Sequence, residues 1–256
     1  MGLSVGGKRI RSNYRLRDGE TLEVRLEEYG DSGHIVPVAM DLDIVYEDED
    51  LLVINKPAGL PIHPSQGHYE NTLANGMAYY FRQKNEPFVY RVINRLDRDT
   101  TGLLIIARHS LSCGILSEMV KKRQIHREYL AVVSGRTDTE GYIDVPIARA
   151  EGSTIMRQAD PIRGEEARTR YRLVSYNPQI DCSFVSLTLE TGRTHQIRVH
   201  MKYIGHPLLG DFLYNPDYRF IRRQALHSRC LKFKHPLTGR QMIFEAELPE
   251  DMRFIL

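Results

Sequence analysis

The chain has 256 residues, 41% of them apolar and 27% charged. That length and composition supply one large core with room for a small appendage, and they exclude a wholly disordered chain. The net charge of +2 excludes no class of partner by itself, but its distribution is uneven. Residues 41–50, DLDIVYEDED, hold six acids and no base, whereas residues 191–240 hold ten Lys or Arg against two Asp, with five His among them. A basic half set apart from an acidic segment is the footprint of a surface that tracks phosphates. A merely solvated basic face is the competing reading.

No apolar stretch approaches the ~20 residues that span a bilayer. The opening MGLSVGGKRIRSNYRL lacks the apolar core of a secretory signal, so no membrane partner is expected. Cys113, Cys182 and Cys230 are far apart, with no C-x-x-C pair. This points away from a disulfide framework or zinc ribbon and toward a reducing, cytoplasmic setting. His195 and His200 lie about 140° apart on a helix and on opposite faces of a strand, so no metal site is expected.

In chain order, residues 13–29, NYRLRDGETLEVRLEEY, offer two short strands about an Asp-Gly turn. So small a piece cannot bury a core of its own, and GDSGHIVP (30–37) reads as a linker behind it. IVYEDEDLLVINK (44–56) predicts a hairpin with an acidic turn, broken by Pro57 and Gly59. NTLANGMAYYFRQK (71–84) sets Leu73, Met77 and Tyr80 on one helical face. SLSCGILSEMVKK (110–122) repeats that pattern with Leu111, Ile115, Leu116 and Met119, and ends in lysines as a helix C-terminus prefers.

Strands are predicted in REYLAVVSG (127–135), YIDVPIA (142–148), ARTRYRLVSY (167–176) and SFVSLTLE (183–190). RTHQIRVHMKY (193–203) follows a Thr-Gly turn and contains a helix start, and LKFKHPLTG with MIFEAELP (231–249) closes the chain as a hairpin. Strands outnumber helices and are joined mostly by short loops. The fold class is therefore α+β, around a largely antiparallel sheet.

The stretch NRLDRDTTGLLIIAR (94–108) sets two arginines and two aspartates against the apolar run Leu103–Ala107. The run reads as a buried strand, a rigid mount for catalytic groups; a solvated loop with a local Arg–Asp pair is the alternative. Arg95 and Asp97 are two apart, so an extended backbone projects them to the same side. No phosphate-binding loop, nucleotide fingerprint or serine elbow is present. What remains is a carboxylate among arginines, a tyrosine in HREYLA and an Arg/His cluster in TGRTHQIRVH. Few cofactor-free reactions run on one carboxylate, and glycosyl chemistry is prominent among them.

At this point the chain resembles the RluA-type RNA pseudouridine synthases. Five ordered blocks carry the likeness: VINKPAGLPIHPS (53–65), NRLDRDTTGLLIIAR (94–108), HREYLAVVSG (126–135), LETGRTHQIRVHMKYIGHPLLGD (189–211) and ALHSRCLKFKHPLTG (225–239). One departure is visible: Asn94 stands where the family often has histidine. The resemblance implies a pseudouridine synthase fold over residues 38–256, a large mixed sheet flanked by helices with a central active-site cleft. Residues 1–37 would then be the remnant of an RNA-binding module and its linker. It further implies that a uridine in ribosomal or transfer RNA is isomerised without cofactor or metal, by a monomer.

By the same resemblance, Asp97 is the essential carboxylate, attacking carbon 1′ of the ribose or removing the proton at carbon 2′. Arg198 is its cationic neighbour. Tyr129 stacks on the detached uracil and assists loss of the carbon-5 proton. Arg95 fills the gap left by the flipped nucleotide, where a planar guanidinium stacks on neighbouring bases. Arg98 and Asp99 are expected to brace the loop. Lys56, Arg193 and His195 are expected to bind RNA or brace the site. Two rivals stand beside this reading: an inactive RNA-binding protein of the same fold, and a nucleoside or glycoside hydrolase using Asp97 with Asp99.

Overall fold

The computed structural model describes residues 2–25, 32–65 and 67–253. A three-stranded antiparallel sheet comes first, built from β1 (Gly2–Val5), β2 (Lys8–Arg9) and β3 (Leu22–Arg25), in the order β2-β1-β3. This departs from the sequence reading at one strand. The turn at Asp18-Gly19 is present, but residues 13–17 form no strand. Both edges of β1 are already taken, one by β2 across a Gly6-Gly7 turn and one by β3. The remainder of the second predicted strand, residues 26–29, and residues 30–31 of the linker lie outside the described residues. Residues 32–37 of that linker are docked rather than free. The Ser32 hydroxyl accepts from the Tyr90 amide at 3.0 Å, and Ile35 is buried.

The main sheet uses β4 (Ile44–Glu47), β5 (Leu51–Lys56), β6 (Thr101–Ala107), β7 (His126–Ser134), β8 (Glu140–Asp144), β11 (Arg168–Asn177), β12 (Cys182–Leu189), β13 (Leu226–Lys234) and β14 (Gln241–Glu245). Its order is β4-β5-β6-β13-β7-β12-β11-β8, with β14 on the same edge of β13 as β6, beyond that short pairing. Every pairing is antiparallel except β6 with β13. The predicted strand at 142–148 divides at Pro146. Its first part is β8, and its second, β9 (Ile147–Arg149), pairs in a separate ribbon with β10 (Arg157–Ala159), which the pattern did not reveal.

The apolar runs of β5 and β6 are buried on both faces, which is why they do not alternate with polar residues. Leu52, Ile54, Leu104 and Ile106 join one core, against which α1 (Leu73–Gln83) lays Leu73, Met77 and Phe81. Leu51, Val53, Leu103 and Ile105 join a second core on the opposite face, covered by Leu116 and Met119 of α2 (Ser110–Lys121). The buried stripe of α2 is Ser112, Leu116 and Met119, at i, i+4 and i+7; Leu111 of the predicted face is turned outward. Helix α3 (Gln196–Tyr203) adds Ile197 and Met201 to the first core, and α4 (Glu250–Arg253) closes the described chain. No helix among the described residues is long and apolar enough to cross a membrane.

The acidic segment at 41–50 has a structural use. Asp48 accepts from the Tyr46 hydroxyl and from the amides of Asp50 and Leu51, and faces His235 at 2.9 Å. Asp50 faces His109 at 2.8 Å. These contacts tie the β4–β5 turn to the start of α2 and to the β13–β14 hairpin. Asp48, Asp50 and His235 are also the one group among the described residues close enough to share a cation, but their oxygens are already engaged in this bracing.

Candidate active site

The loop carrying Asp97 is held on every side. Residues 91–94 run beside the second half of β6, with the Ile93 amide donating to the Ile105 carbonyl at 2.8 Å and the Ala107 amide to the Arg91 carbonyl at 2.9 Å. Asn94 completes this edge: its buried side-chain oxygen accepts from the Ile105 amide at 2.8 Å. The chain then turns through Arg95–Thr100 and returns into β6. Behind the turn, the Lys56 ammonium donates to the carbonyls of Pro57 and Arg98 at 2.7 Å each. Burial pushes the Lys56 pKa down to about 7, against the opposing pull of Asp99 and Asp97. At the re-entry point Gly102 has φ +105°, and a Cβ there would lie 2.3 Å from the Ser228 carbonyl oxygen of β13. The parallel contact between β6 and β13 therefore requires glycine.

Arg198 comes from α3. Its Nη1 donates to Asp97 Oδ2 at 2.8 Å, and its Nε and Nη2 each donate to Asp211 at 2.7 Å. Arg198 and Asp211 are fully buried. Burial alone would lower the arginine pKa, but the Asp211 bonds and the Asp97 charge more than offset it and hold it above the ordinary value. Asp211 also accepts from the amides of Leu213 and Tyr214, and the chain reaches it through Gly210, whose Cβ would lie 2.3 Å from the Arg223 carbonyl oxygen.

His195 caps α3 in the left-handed conformation, at φ 58°. Its Nε2 lies 3.8 Å from Asp97 Oδ2, and its Nδ1 lies 2.9 Å from the Tyr214 hydroxyl. Burial is the main reason its pKa is lowered, so the ring is neutral near pH 7. The Tyr214 hydroxyl accepts from the Arg157 amide at 2.9 Å, and burial pushes its pKa up to about 12. The phenol thus keeps its proton and can donate it to His195 Nδ1, which puts the imidazole N–H on Nε2, facing Asp97. The loop before α3 is fixed by Gln196, whose side chain accepts from Thr191 and Arg193 and donates to Arg168 and Thr169. His200 bonds Thr169 and the Val145 carbonyl, well apart from His195's partners.

Tyr129 stands on β7, buried, and burial is the main reason its pKa is raised. It lines the wall of a cleft of about 740 Å³ together with Asn94, Arg95, Asp97, Arg127 and Arg193. An adjoining recess brings Asp97, Tyr129, His195 and Arg198 together. Arg95 is exposed at the mouth and forms no hydrogen bond or ion pair among the described residues. Arg193 is held at the rim by Glu165 at 2.6 Å and by the Glu166 carbonyl at 2.9 Å. Lys56 lies behind the loop and lines none of this. Asp99 does not line the cleft either: it is paired with Arg98 at 2.8 Å, as a loop brace would be. Asp211 and Tyr214 were not singled out from the sequence. Each lies at or beyond the end of the 189–211 block and has no spacing of its own to mark it.

A carboxylate held by a clamped guanidinium, in a cleft with a buried phenol, defines an enzyme site for nucleophilic or acid–base chemistry. Residues 50–203 match a family described as RNA pseudouridylate synthase. A Bacillus subtilis protein named uncharacterized RNA pseudouridine synthase YjbO is 42% identical over 251 residues, 98% of this chain and 88% of its own. The ribosomal large subunit pseudouridine synthase D of Zymomonas mobilis is 41% identical over 239 residues, 87% of this chain and 74% of its own. Among solved structures, human RNA pseudouridylate synthase domain containing 1 matches with a TM-score of 0.67 at 26% identity, over 81% of this chain and 83% of that one. The chain belongs to the RNA pseudouridylate synthase family and is an RNA pseudouridine synthase of the RluA type.

Proposed function

We propose that the chain isomerises uridine in large-subunit ribosomal RNA, with Asp97 as the essential group and no cofactor. The observation that carries this is the 2.8 Å contact between Asp97 and a guanidinium clamped by buried Asp211. The target nucleotide leaves its stack, because the base cannot be reworked inside it, and Arg95 takes the vacated space. Asp97 meets the ribose, either attacking carbon 1′ or removing the carbon-2′ proton. The bond from carbon 1′ to N1 breaks and the uracil turns against Tyr129; carbon 5 then bonds to carbon 1′, which frees the Asp97 carboxylate or takes back the carbon-2′ proton, and the carbon-5 proton is lost as N1 gains one. His195 and Arg198 hold the carboxylate in register, and Lys56 braces its loop. Residues 38–256 are the catalytic domain in this reading, with residues 1–37 an RNA-binding appendage.

The ribosomal assignment is supported by the name of the Zymomonas mobilis relative. Pseudouridines are to be mapped in ribosomal and transfer RNA from cells with and without the gene. A position lost from large-subunit RNA and restored by the purified protein is expected. A loss confined to transfer RNA would overturn the ribosomal assignment.

A further inference from the structure

Arg127 is a buried cation in the cleft with no ion-pair partner among the described residues. It precedes Tyr129 by two residues on β7, so both side chains leave the same face of the strand. That face continues through Ala131 and Val133 into the apolar core. The residue is 8% exposed, yet no carboxylate pairs with it among the described residues. Its Nη2 makes one long bond, 3.5 Å, to the Thr191 carbonyl, and its Nε has no partner at all. Burying a guanidinium without an anion is costly, and native proteins rarely leave such a group unmatched.

The surroundings keep the guanidinium open to the cleft. Gly192 faces it, and a Cβ there would lie 3.1 Å from Arg127 Nη1. The backbone at Gly192 has no positive φ, so it is the space, rather than the fold, that a side chain would fill. Arg127, Asp97, Tyr129 and Gly192 all line the same cavity.

We propose that Arg127 is the phosphate site of the extruded nucleotide, an inference that rests on the proposed reaction for the identity of its ligand. Phosphates are the only permanent anions an RNA carries, and a guanidinium fork matches their oxygens. A uracil carbonyl would accept a hydrogen bond but would leave the positive charge uncompensated. The cleft then addresses each part of one nucleotide separately: the ribose at Asp97, the base at Tyr129 and the phosphate at Arg127. The unmatched charge is a cost of the free enzyme that RNA relieves.

The test uses the full chain and a labelled twelve-nucleotide oligouridylate, which offers uridine and phosphate without requiring the natural target. Its affinity is measured across a salt series, alongside thermal unfolding. Arg127→Met removes the charge at similar bulk. It is expected to weaken binding roughly threefold to tenfold at low salt and to flatten the logarithmic salt dependence by about 0.7, the value of one single-strand phosphate contact. Arg127→Lys is expected to keep the slope, and the melting temperature of Arg127→Met is expected to equal or exceed that of the wild type. A wild-type slope in Arg127→Met would overturn the proposal. If that variant does not fold, Arg127→Gln is read by the same slope, with the same outcome decisive. Binding to oligouridylate does not depend on turnover, so failure to find a modified ribosomal uridine would leave this result standing.

Discussion

Asp211 holds Arg198 through two bonds of 2.7 Å, with both side chains removed from water. The bidentate contact occupies one edge of the guanidinium and leaves Nη1 aimed at Asp97. The plane of Arg198, and with it the direction of that contact, is therefore set by a residue that does not line the cleft.

Asp211→Asn tests that dependence. Removing one partner of a buried pair costs about 3–5 kcal/mol, so denaturant unfolding is expected to shift by that order. Under conditions where the variant remains folded, kcat is expected to fall while KM changes little, because the asparagine no longer fixes the Arg198 plane. A folded variant with wild-type kcat would show that Asp211 serves stability alone.

Arg95 separates two ways of holding RNA. If it fills the gap left by the uridine, Arg95→Ala should cost about 2 kcal/mol on a structured RNA, where flipping is expensive. A short flexible strand should lose much less, and Arg95→Lys should rescue little, since an ammonium cannot stack as a plane. Single-turnover rates on both RNAs decide it. Equal losses on the two substrates, with lysine restoring activity, would make Arg95 a plain phosphate contact.

Acid is expected to destabilise the fold well before the carboxylates titrate. His227 is buried between Thr101 and the Ala246 carbonyl, and burial pushes its pKa down to about 4. His195 and His200 are shifted in the same direction by burial. A depressed base binds its proton more readily unfolded, so stability is lost as pH falls from about 6.5 toward 4. His227 alone is worth about 3 kcal/mol across that window. Chemical denaturation at pH 7 and pH 5 checks this. His227→Gln should flatten the difference, and an unchanged pH dependence would contradict the assignment.

Gly102→Ala is expected to cost roughly 3 kcal/mol or more, because a Cβ meets β13 backbone and the positive φ is unfavourable for alanine. The urea midpoint measures it. A change within about 0.5 kcal/mol would mean that β6 and β13 can separate without loss.

The central sheet and the three long helices were legible because their signals are local. Leu103–Ala107 is too apolar to be exposed on either face, and the predicted face of α1 lies in the core. Residues 13–17 carry a strand-like pattern but form none, because β2, across the Gly6-Gly7 turn, and β3 already occupy both edges of β1. Pro146 divides a run that looked continuous, and β10 has only three residues of pattern. Among site residues, Asp97, Tyr129, Arg198 and Arg95 stand in motifs with distinctive order. Asp211 and Tyr214 act through tertiary contacts to α3, and a single aspartate or tyrosine carries no periodicity to reveal them. Arg127 sat in plain view beside Tyr129, but its lack of a partner is a fact of three dimensions.

The most direct test of the reaction is Asp97→Asn, measured as pseudouridine formed in a single turnover together with RNA affinity. The substitution keeps size and removes the charge, and the loop is held independently by Lys56, Asn94 and β6. No detectable product is expected, with affinity for RNA and the unfolding midpoint close to wild type. Product above about 1% of the wild-type rate would contradict the assignment of Asp97 as the essential group.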